Sequence, residues 1–399
     1  MRTDLGWILD PSVTYLNHGS FGACPEPVLA AQRELRHRLE RQPVAFFDRE
    51  LPILLDDARG RVASFLGGDP DGLAFVTNAT TGVNAVLQSL SFAPGDELLT
   101  SDHEYNAVIA TMRSVARRDR ARVTVTHLPF PATGPDQVVE AMLAAVTSRT
   151  RLAVISHVTS PTALVLPIEL LVRELDARGI DTLVDGAHAP GTVPVDLDAL
   201  GAAYYTGNGH KWLCGPKGSA FLWVRADRRD RIRPTVISHG ANDPRTDRSR
   251  YRLEFDWTGT GDPTAALALP LAIDWMAAQV PGGWPAIMAA NRALALQARD
   301  RLASVLGVTR TTPDPMVGSM ISLALPGPAS DGAAMAWHDA LIRDDAIEVP
   351  FPAWPVRGAR ERAIDPPASV LVRFSAQRYV EASDIERLAA ALGRRLTAA

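Results

Sequence analysis

From residue 73 to residue 224 short apolar runs alternate with amphipathic stretches, and no other feature restricts the fold so strongly. The runs at 73–77, 97–101, 123–128, 152–156, 182–185, 202–206 and 218–224 read as strands. Helices are expected between them at 80–90, 107–117, 135–145 and 170–178. Strands separated by helices of roughly ten to fifteen residues build parallel β-α-β units and an open sheet covered on both faces. In such sheets ligands bind outside the carboxyl ends of the strands.

The flanking segments differ. Residues 1–20 read as an irregular arm carrying Tyr15-Leu16-Asn17-His18-Gly19-Ser20. Pro25 and Pro27 open a helix to about Arg41, with Val28, Leu35 and Leu39 on one side, and a second helix over about 50–66 stops at Gly67-Gly68. After the polar stretch 243–252, an Ala/Leu-rich helical region at 265–306 leads to a strand at 320–325, a helix at 332–343 and a strand at 369–375. A chain of 399 residues exceeds one ordinary core. The expected division is an arm (1–20), a large α/β domain (21–264) and a smaller α+β domain (265–399).

Composition removes several function classes. The net charge of −4 is spread along the chain and gives no reason to expect nucleic acid or an anionic membrane as partner. No apolar run is long enough to span a bilayer, and the first residues lack the apolar core of a secretory signal. Cys24 and Cys214 cannot make a disulfide framework or a Cys-x-x-Cys centre. A cytoplasmic protein is expected.

The chemistry concentrates at two strand ends. Thr182-Leu183-Val184-Asp185-Gly186-Ala187-His188 delivers a carboxylate beside small residues, and Gly207-Asn208-Gly209-His210-Lys211-Trp212 presents a lysine on the next turn. Pyridoxal 5′-phosphate needs this pair. The carboxylate keeps the ring nitrogen protonated so that the ring withdraws electrons, and the amine forms a Schiff base. Phe75 to Gly82 adds a strand–turn–helix whose first turn can hold an anion, although Asn78 or Thr80 could equally serve as a plain N-cap. Neither a Gly-x-Gly-x-x-Gly nor a Walker-type run accompanies it, which argues against a nicotinamide enzyme or a nucleotide-binding protein. His103 or Tyr105 could stack on a flat cofactor, and His188 could bond its ring oxygen or be a satisfied core histidine. The histidines at 103, 157, 188 and 210 lack metal-ligand spacing, so no metal is expected. Arg373, in Leu371-Val372-Arg373-Phe374-Ser375, is either the holder of a substrate carboxylate or half of an internal ion pair.

These residues together resemble the class V aminotransferases of the fold-type I pyridoxal phosphate enzymes, and within them the isopenicillin N epimerase-like branch. The segments that carry the resemblance are Tyr15 to Gly22, Asp102-His103-Glu104-Tyr105, Val184 to Gly191, Gly209 to Trp212, Trp257-Thr258-Gly259-Thr260, and Arg373 to Gln377. The resemblance implies a mostly parallel, seven-stranded large domain, a homodimer with shared sites and an amino-acid substrate. It also implies roles. Lys211 would carry the cofactor and move protons at the α-carbon, Asp185 would pair with the ring nitrogen, and His188 would sit by the ring oxygen. His103 would stack on the ring. Ala79, Thr80, Asn208 and His210 would cradle the phosphate, with Thr260 reaching in from the partner subunit. Arg373 would grip the α-carboxylate, and Asn17, His18 and Tyr105 would line the substrate site. Asn208 stands where serine is common, and the stretch 351–369 lacks the nucleophilic cysteine of the desulfurases, so persulfide chemistry is not expected.

Epimerisation or aminotransferase-like chemistry in specialised metabolism comes first, with C–S β-lysis of a cysteine conjugate or decarboxylative deamination as alternatives. Epimerisation needs a proton donor opposite Lys211, for which His103 and Tyr105 are the candidates. A non-catalytic binding protein would be expected to have lost the lysine. Specificity is expected from the loops 239–252 and 351–367.

Overall fold

The computed structural model describes residues 6–355 and 367–398; residues 356–366 of the second specificity loop lie outside the described residues. The strands are β1 Thr14–Tyr15, β2 Leu73–Val76, β3 Glu97–Ser101, β4 Arg122–Thr126, β5 Thr150–Ser156, β6 Asp181–Asp185, β7 Tyr204–Asn208, β8 Ala220–Val224, β9 Met320–Ala324, β10 Ile347–Glu348, β11 Ala353–Trp354 and β12 Ser369–Ser375. Seven of them form the central sheet in the order β2-β8-β7-β6-β5-β3-β4. β8 runs antiparallel to both neighbours, and the pairs from β7 through β4 are all parallel. The apolar runs of β3, β6, β7 and β8 are buried throughout, as expected for strands covered on both faces.

The chain leaves β3 for β4 on one side, then returns to place β5 on the other side of β3. That reversal opens a crevice at the carboxyl ends of β3 and β5, with β6 and β7 beside it. The site described below stands there.

The strand expected at 202–206 lies two residues later. Gly207 and Asn208 continue the ladder against Phe221 and Ala220, which carries Asn208 to the rim of the crevice. The helical region 265–306 is two helices, Thr264–Ala277 and Gly283–Leu306, broken where Pro281 precedes Gly282 and Gly283, both at positive φ. The first of them packs on the helices Glu26–Arg41 and Leu51–Phe65. The second packs on β9, β12 and the C-terminal helix Ala382–Ala398.

The small sheet is antiparallel, in the order β11-β12-β9. The arm is not wholly irregular, because β1 pairs in parallel with β10 and so ties residues 14–15 to the small lobe. One apolar cluster contains Leu16 of the arm, Val184 of the large sheet, and Val372 and Leu388 of the small lobe. Among the described residues no helix is long and apolar enough to cross a membrane.

Candidate active site

Successive strands each deliver one polar side chain to the crevice. Asp185 ends β6, with Ser156 of β5 and Thr206 of β7 as its neighbours across the ladder. Its Oδ1 accepts the Ala187 amide at 2.9 Å, which fixes the carboxylate at the strand end. The chain can turn away here because residue 186 is glycine. A Cβ there would lie 2.2 Å from the ring of Tyr205, inside any real contact.

Lys211 follows β7 on a short turn, and its Nζ lies 3.0 Å from His188 Nε2. The other imidazole nitrogen accepts the indole N–H of Trp212 at 3.3 Å. An indole only donates, so Trp212 puts the His188 proton on Nε2, facing the lysine. Burial first, and the nearby Arg373 charge second, depress the lysine pKa to about 7. Burial also holds His188 neutral, well below its ordinary value. A neutral amine and a neutral imidazole donor can sit at this distance without repulsion.

The phosphate-type cradle is the first turn of the helix Ala79–Ser89. Asn78 caps it by accepting the Thr81 amide, and the Ala79 amide donates to Asn208 Oδ1 at 2.8 Å. Among the described residues no hydrogen bond engages the Thr80 amide or hydroxyl, which therefore stand ready at the positive end of the helix. The cap and the anion cup are one geometry. Gly82 lets this helix press against β7, since a Cβ there would meet Thr206 Oγ1 at 2.3 Å. His210 stands beside it with Nδ1 3.2 Å from the Ser219 carbonyl. A carbonyl only accepts, so Nδ1 carries the proton, and Nε2 can donate to an anion only when the ring is doubly protonated. Thr260 lies in an exposed segment, residues 258–262.

The crevice opens into a cavity of about 710 Å³ between the lobes, lined by Asn17, Glu104, Tyr105 and Arg373 among others. Alternation along β12 sends Arg373 to the face opposite Val372 and Phe374, which belong to the main core. The guanidinium is only 5% exposed, yet its partners are neutral oxygens. Nη1 donates to the Ser160 carbonyl at 2.7 Å, and Nη2 to Ser20 Oγ at 2.8 Å and Asn17 Oδ1 at 3.5 Å. Among the described residues its Nε has no partner and no carboxylate pairs with it. The internal ion pair weighed from the sequence is absent from this set. An unpaired buried cation costs several kcal/mol unless an anion joins it.

Two expected site residues are placed differently. His18, expected at the substrate, is fully buried; its Nε2 donates to the Lys211 carbonyl at 3.0 Å, and its Nδ1 accepts Tyr379 Oη–H at 2.8 Å. It holds the lysine turn and does not line the cavity. His103 is also fully buried, with Nδ1 2.7 Å from Thr162 Oγ1, Nε2 2.9 Å from the Leu128 carbonyl, and its ring against Phe130 and Trp354. Both nitrogens are occupied, so the proton-donor role weighed for His103 has no free nitrogen to use. Tyr105 lines the cavity and is 48% exposed.

Three residues of consequence carry no signal strong enough to single them out in the sequence. Trp212 sets the His188 tautomer. Gly22, at φ +71°, lets the arm touch the lysine turn, where a Cβ would lie 2.1 Å from the His210 carbonyl. Glu104 enters the site buried, with burial and the Asp185 charge both pushing its pKa up. It stood in the sequence only as part of Asp102-His103-Glu104-Tyr105.

The family model described as aminotransferase class-V matches residues 23–388. The chain belongs to that family. Among its relatives, the isopenicillin N epimerase of Amycolatopsis lactamdurans is 39% identical over 398 residues, covering 96% of this chain and 95% of the relative. A probable chloroplastic L-cysteine desulfhydrase of Arabidopsis thaliana is 31% identical over 401 residues, covering 95% of this chain and 82% of the relative. Among solved structures, the cystine C-S lyase C-DES in complex with cysteine persulfide superposes with a TM-score of 0.79 at 23% identity, covering 96% of this chain and 98% of that one. The cysteine desulfurase CsdA from Escherichia coli gives 0.78 at 20% identity, covering 100% and 98%. The fold is that of the fold-type I enzymes. The cofactor of this family member is pyridoxal 5′-phosphate, and the residues present fit it: a depressed lysine, a buried carboxylate and a helix start with an unengaged amide.

Proposed function

We propose that this class V aminotransferase acts at the α-carbon of an amino acid, with epimerisation as its reaction, in specialised metabolism. The observation that carries the reading is Arg373: a buried cation without a carboxylate partner among the described residues, facing the cavity beside Lys211. A substrate α-carboxylate would complete its shell with charge-assisted hydrogen bonds.

Bound at Lys211, the cofactor supplies an electron sink for the pair left on the α-carbon when a bond there breaks. The chain's own residues do the rest. Arg373 fixes one end of the substrate and Asn17 and Tyr105 line the space beside it. Lys211 Nζ moves the α-proton, and a lysine with a pKa near 7 can both take and return it near neutral pH. Asp185 would hold the proton of the ring nitrogen, His188 would donate from Nε2, and Ala79, Thr80, Asn208 and His210 would surround the phosphate. The reading includes a cytoplasmic homodimer in which the exposed Thr260 of each subunit serves the other site.

A second reading, C–S β-lysis of a cysteine derivative, is favoured by the relatives named as L-cysteine desulfhydrases. Neither cysteine of the chain suits persulfide formation. Cys24 and Cys214 are both buried, and burial raises the first thiol to about 12 and the second well above its ordinary value. Neither is a ready thiolate.

A product screen tests the proposal. The holoenzyme is incubated with L- and D-amino acids and with cysteine S-conjugates, and products are resolved by chiral chromatography. Change of configuration alone is the expected result. Release of pyruvate and thiol would replace the first reading by the second, and turnover of no amino acid would end both.

A further inference from the structure

Glu104 is the group that the site leaves unexplained. It follows β3, lines the inter-lobe cavity together with Arg373, and is 1% exposed. Its Oε1 accepts two hydrogen bonds, from Ser156 Oγ at 2.7 Å and from the Tyr105 amide at 2.8 Å. Its Oε2 is buried and, among the described residues, has no partner. Buried polar atoms are rarely left so unless a ligand or a function accounts for them.

We infer that Glu104 is the second proton donor of the site, serving the substrate α-carbon from the side opposite Lys211. The inference rests on the proposed α-carbon chemistry and adds a residue to it. Sheet order supplies the sidedness. Lys211 follows β7, Asp185 ends β6, Ser156 ends β5 and Glu104 follows β3, and these strands lie side by side in that sequence. A ring held by Asp185 would meet the lysine coming from the β7 side and the glutamate coming from the β3 side. The hydrogen bonds supply the proton's position. With Oε1 already accepting two donors, a protonated carboxyl must carry its hydrogen on Oε2, the oxygen that no described residue engages. Burial and the neighbouring Asp185 both favour that protonated form; burial raises Asp185 as well, but its bond to the Ala187 amide and the nearby Lys211 charge oppose that rise.

The step balances without a co-reactant. Lys211 Nζ takes the α-hydrogen as a proton, the electron pair stays with the carbon, and Glu104 Oε2 gives its proton to the other face. The lysine ends protonated and the glutamate ionised, and exchange with solvent resets both. The opposite stereoisomer starts from the state that transfer leaves: ionised Glu104 Oε2 takes the α-proton, and protonated Lys211 Nζ gives one to the other face.

The test pairs infrared spectroscopy with isotope exchange. In the apoprotein, the carbonyl stretch of a protonated carboxyl at neutral pH should be present and should vanish in Glu104→Gln; persistence of that band in the variant, or its absence from the wild type, would overturn the assignment. In the holoenzyme in D2O, Glu104→Gln should slow inversion by about 10²-fold or more, while α-deuterium still enters with retention at a rate within a few-fold of wild type. Equal loss of both would overturn the proposal, as would a changed absorption maximum of the bound cofactor, which marks a ring contact. Glu104→Asp keeps an acid on a shorter arm and should restore part of the inversion. A wild type that exchanges deuterium but never inverts would sink Glu104's role and leave the α-carbon chemistry intact. A wild type with no exchange on any amino acid would sink the proposed function itself.

Discussion

Alanine at position 22 is the sharpest test of how the arm supports the lysine. Gly22 has φ +71° and ψ 161°, a region that only glycine occupies at ease, so the backbone alone costs about 1–3 kcal/mol. The added Cβ would also sit 2.1 Å from the His210 carbonyl and 3.0 Å from Lys211 Cα, where real Cβ contacts do not fall below 3.0 Å. The shortfall of 0.9 Å must be absorbed by the arm or by the lysine turn. The arm is held on its other side, by Tyr379 Oη–H donating to His18 Nδ1 at 2.8 Å and by the pairing of β1 with β10. Much of the displacement therefore falls on Lys211, and a shift of about 1 Å in a reacting group costs on the order of 10²-fold in turnover. Gly201 supplies the control, with φ +69° and nothing within 4 Å of an added methyl, so alanine there pays only the left-handed strain of about 1–2 kcal/mol. Thermal melts of both holoenzymes and kcat and KM on the best substrate from the product screen should show Gly201→Ala losing stability alone. Gly22→Ala should lose stability and about 10²-fold in kcat. A Gly22→Ala enzyme matching the Gly201→Ala control in kcat would refute the reasoning.

Three further outcomes are expected. Apoprotein should take up pyridoxal phosphate faster as pH rises through about 7 and then level off, because a lysine lowered from 10.5 is half neutral there; an ordinary lysine would be neutral in only about one copy in 3,000. Stopped-flow absorbance measures this, and a rate still climbing steeply at pH 9 would contradict it. Arg373→Gln should raise KM by about 10²-fold, for a lost charge-assisted pair of about 3 kcal/mol, while the apoprotein melts no lower because an unpaired buried charge has been removed; a large drop in Tm would show that the charge is paired after all. Trp212→Phe removes the donor to His188 Nδ1 and frees the tautomer, so the pH at which the bound cofactor's absorption changes should move; an unmoved titration would leave Trp212 a packing residue only.

Strand and helix positions were legible because period and punctuation are local properties. Buried runs of Val, Leu and Ala bounded by Gly, Pro and Asn declare strands wherever they pack, and β3 lies at the expected residues. The Asp185 and Lys211 pair was legible for the same reason, since each sits within a few residues of a strand end. Arg373 was visible as a cation in an apolar strand, but its choice between an ion pair and an open ligand site needed the neutral oxygens of Ser160, Ser20 and Asn17, brought from far along the chain. Where sequence reasoning missed, the deciding contacts were long-range. His18 reaches Lys211 across 193 positions, His103 reaches Thr162 across 59, and Glu104 reaches Ser156 across 52.

The sequence by itself determined the alternating α/β order, the carboxylate and lysine at adjacent strand ends, and the small residues beside them, because each follows from neighbours along the chain. The tertiary structure alone decided which histidines face the site, which neutral oxygens surround the Arg373 guanidinium, and which oxygen of Glu104 the neighbouring donors engage. Those properties depend on burial and on partners from other strands, and folding creates both only when distant segments meet.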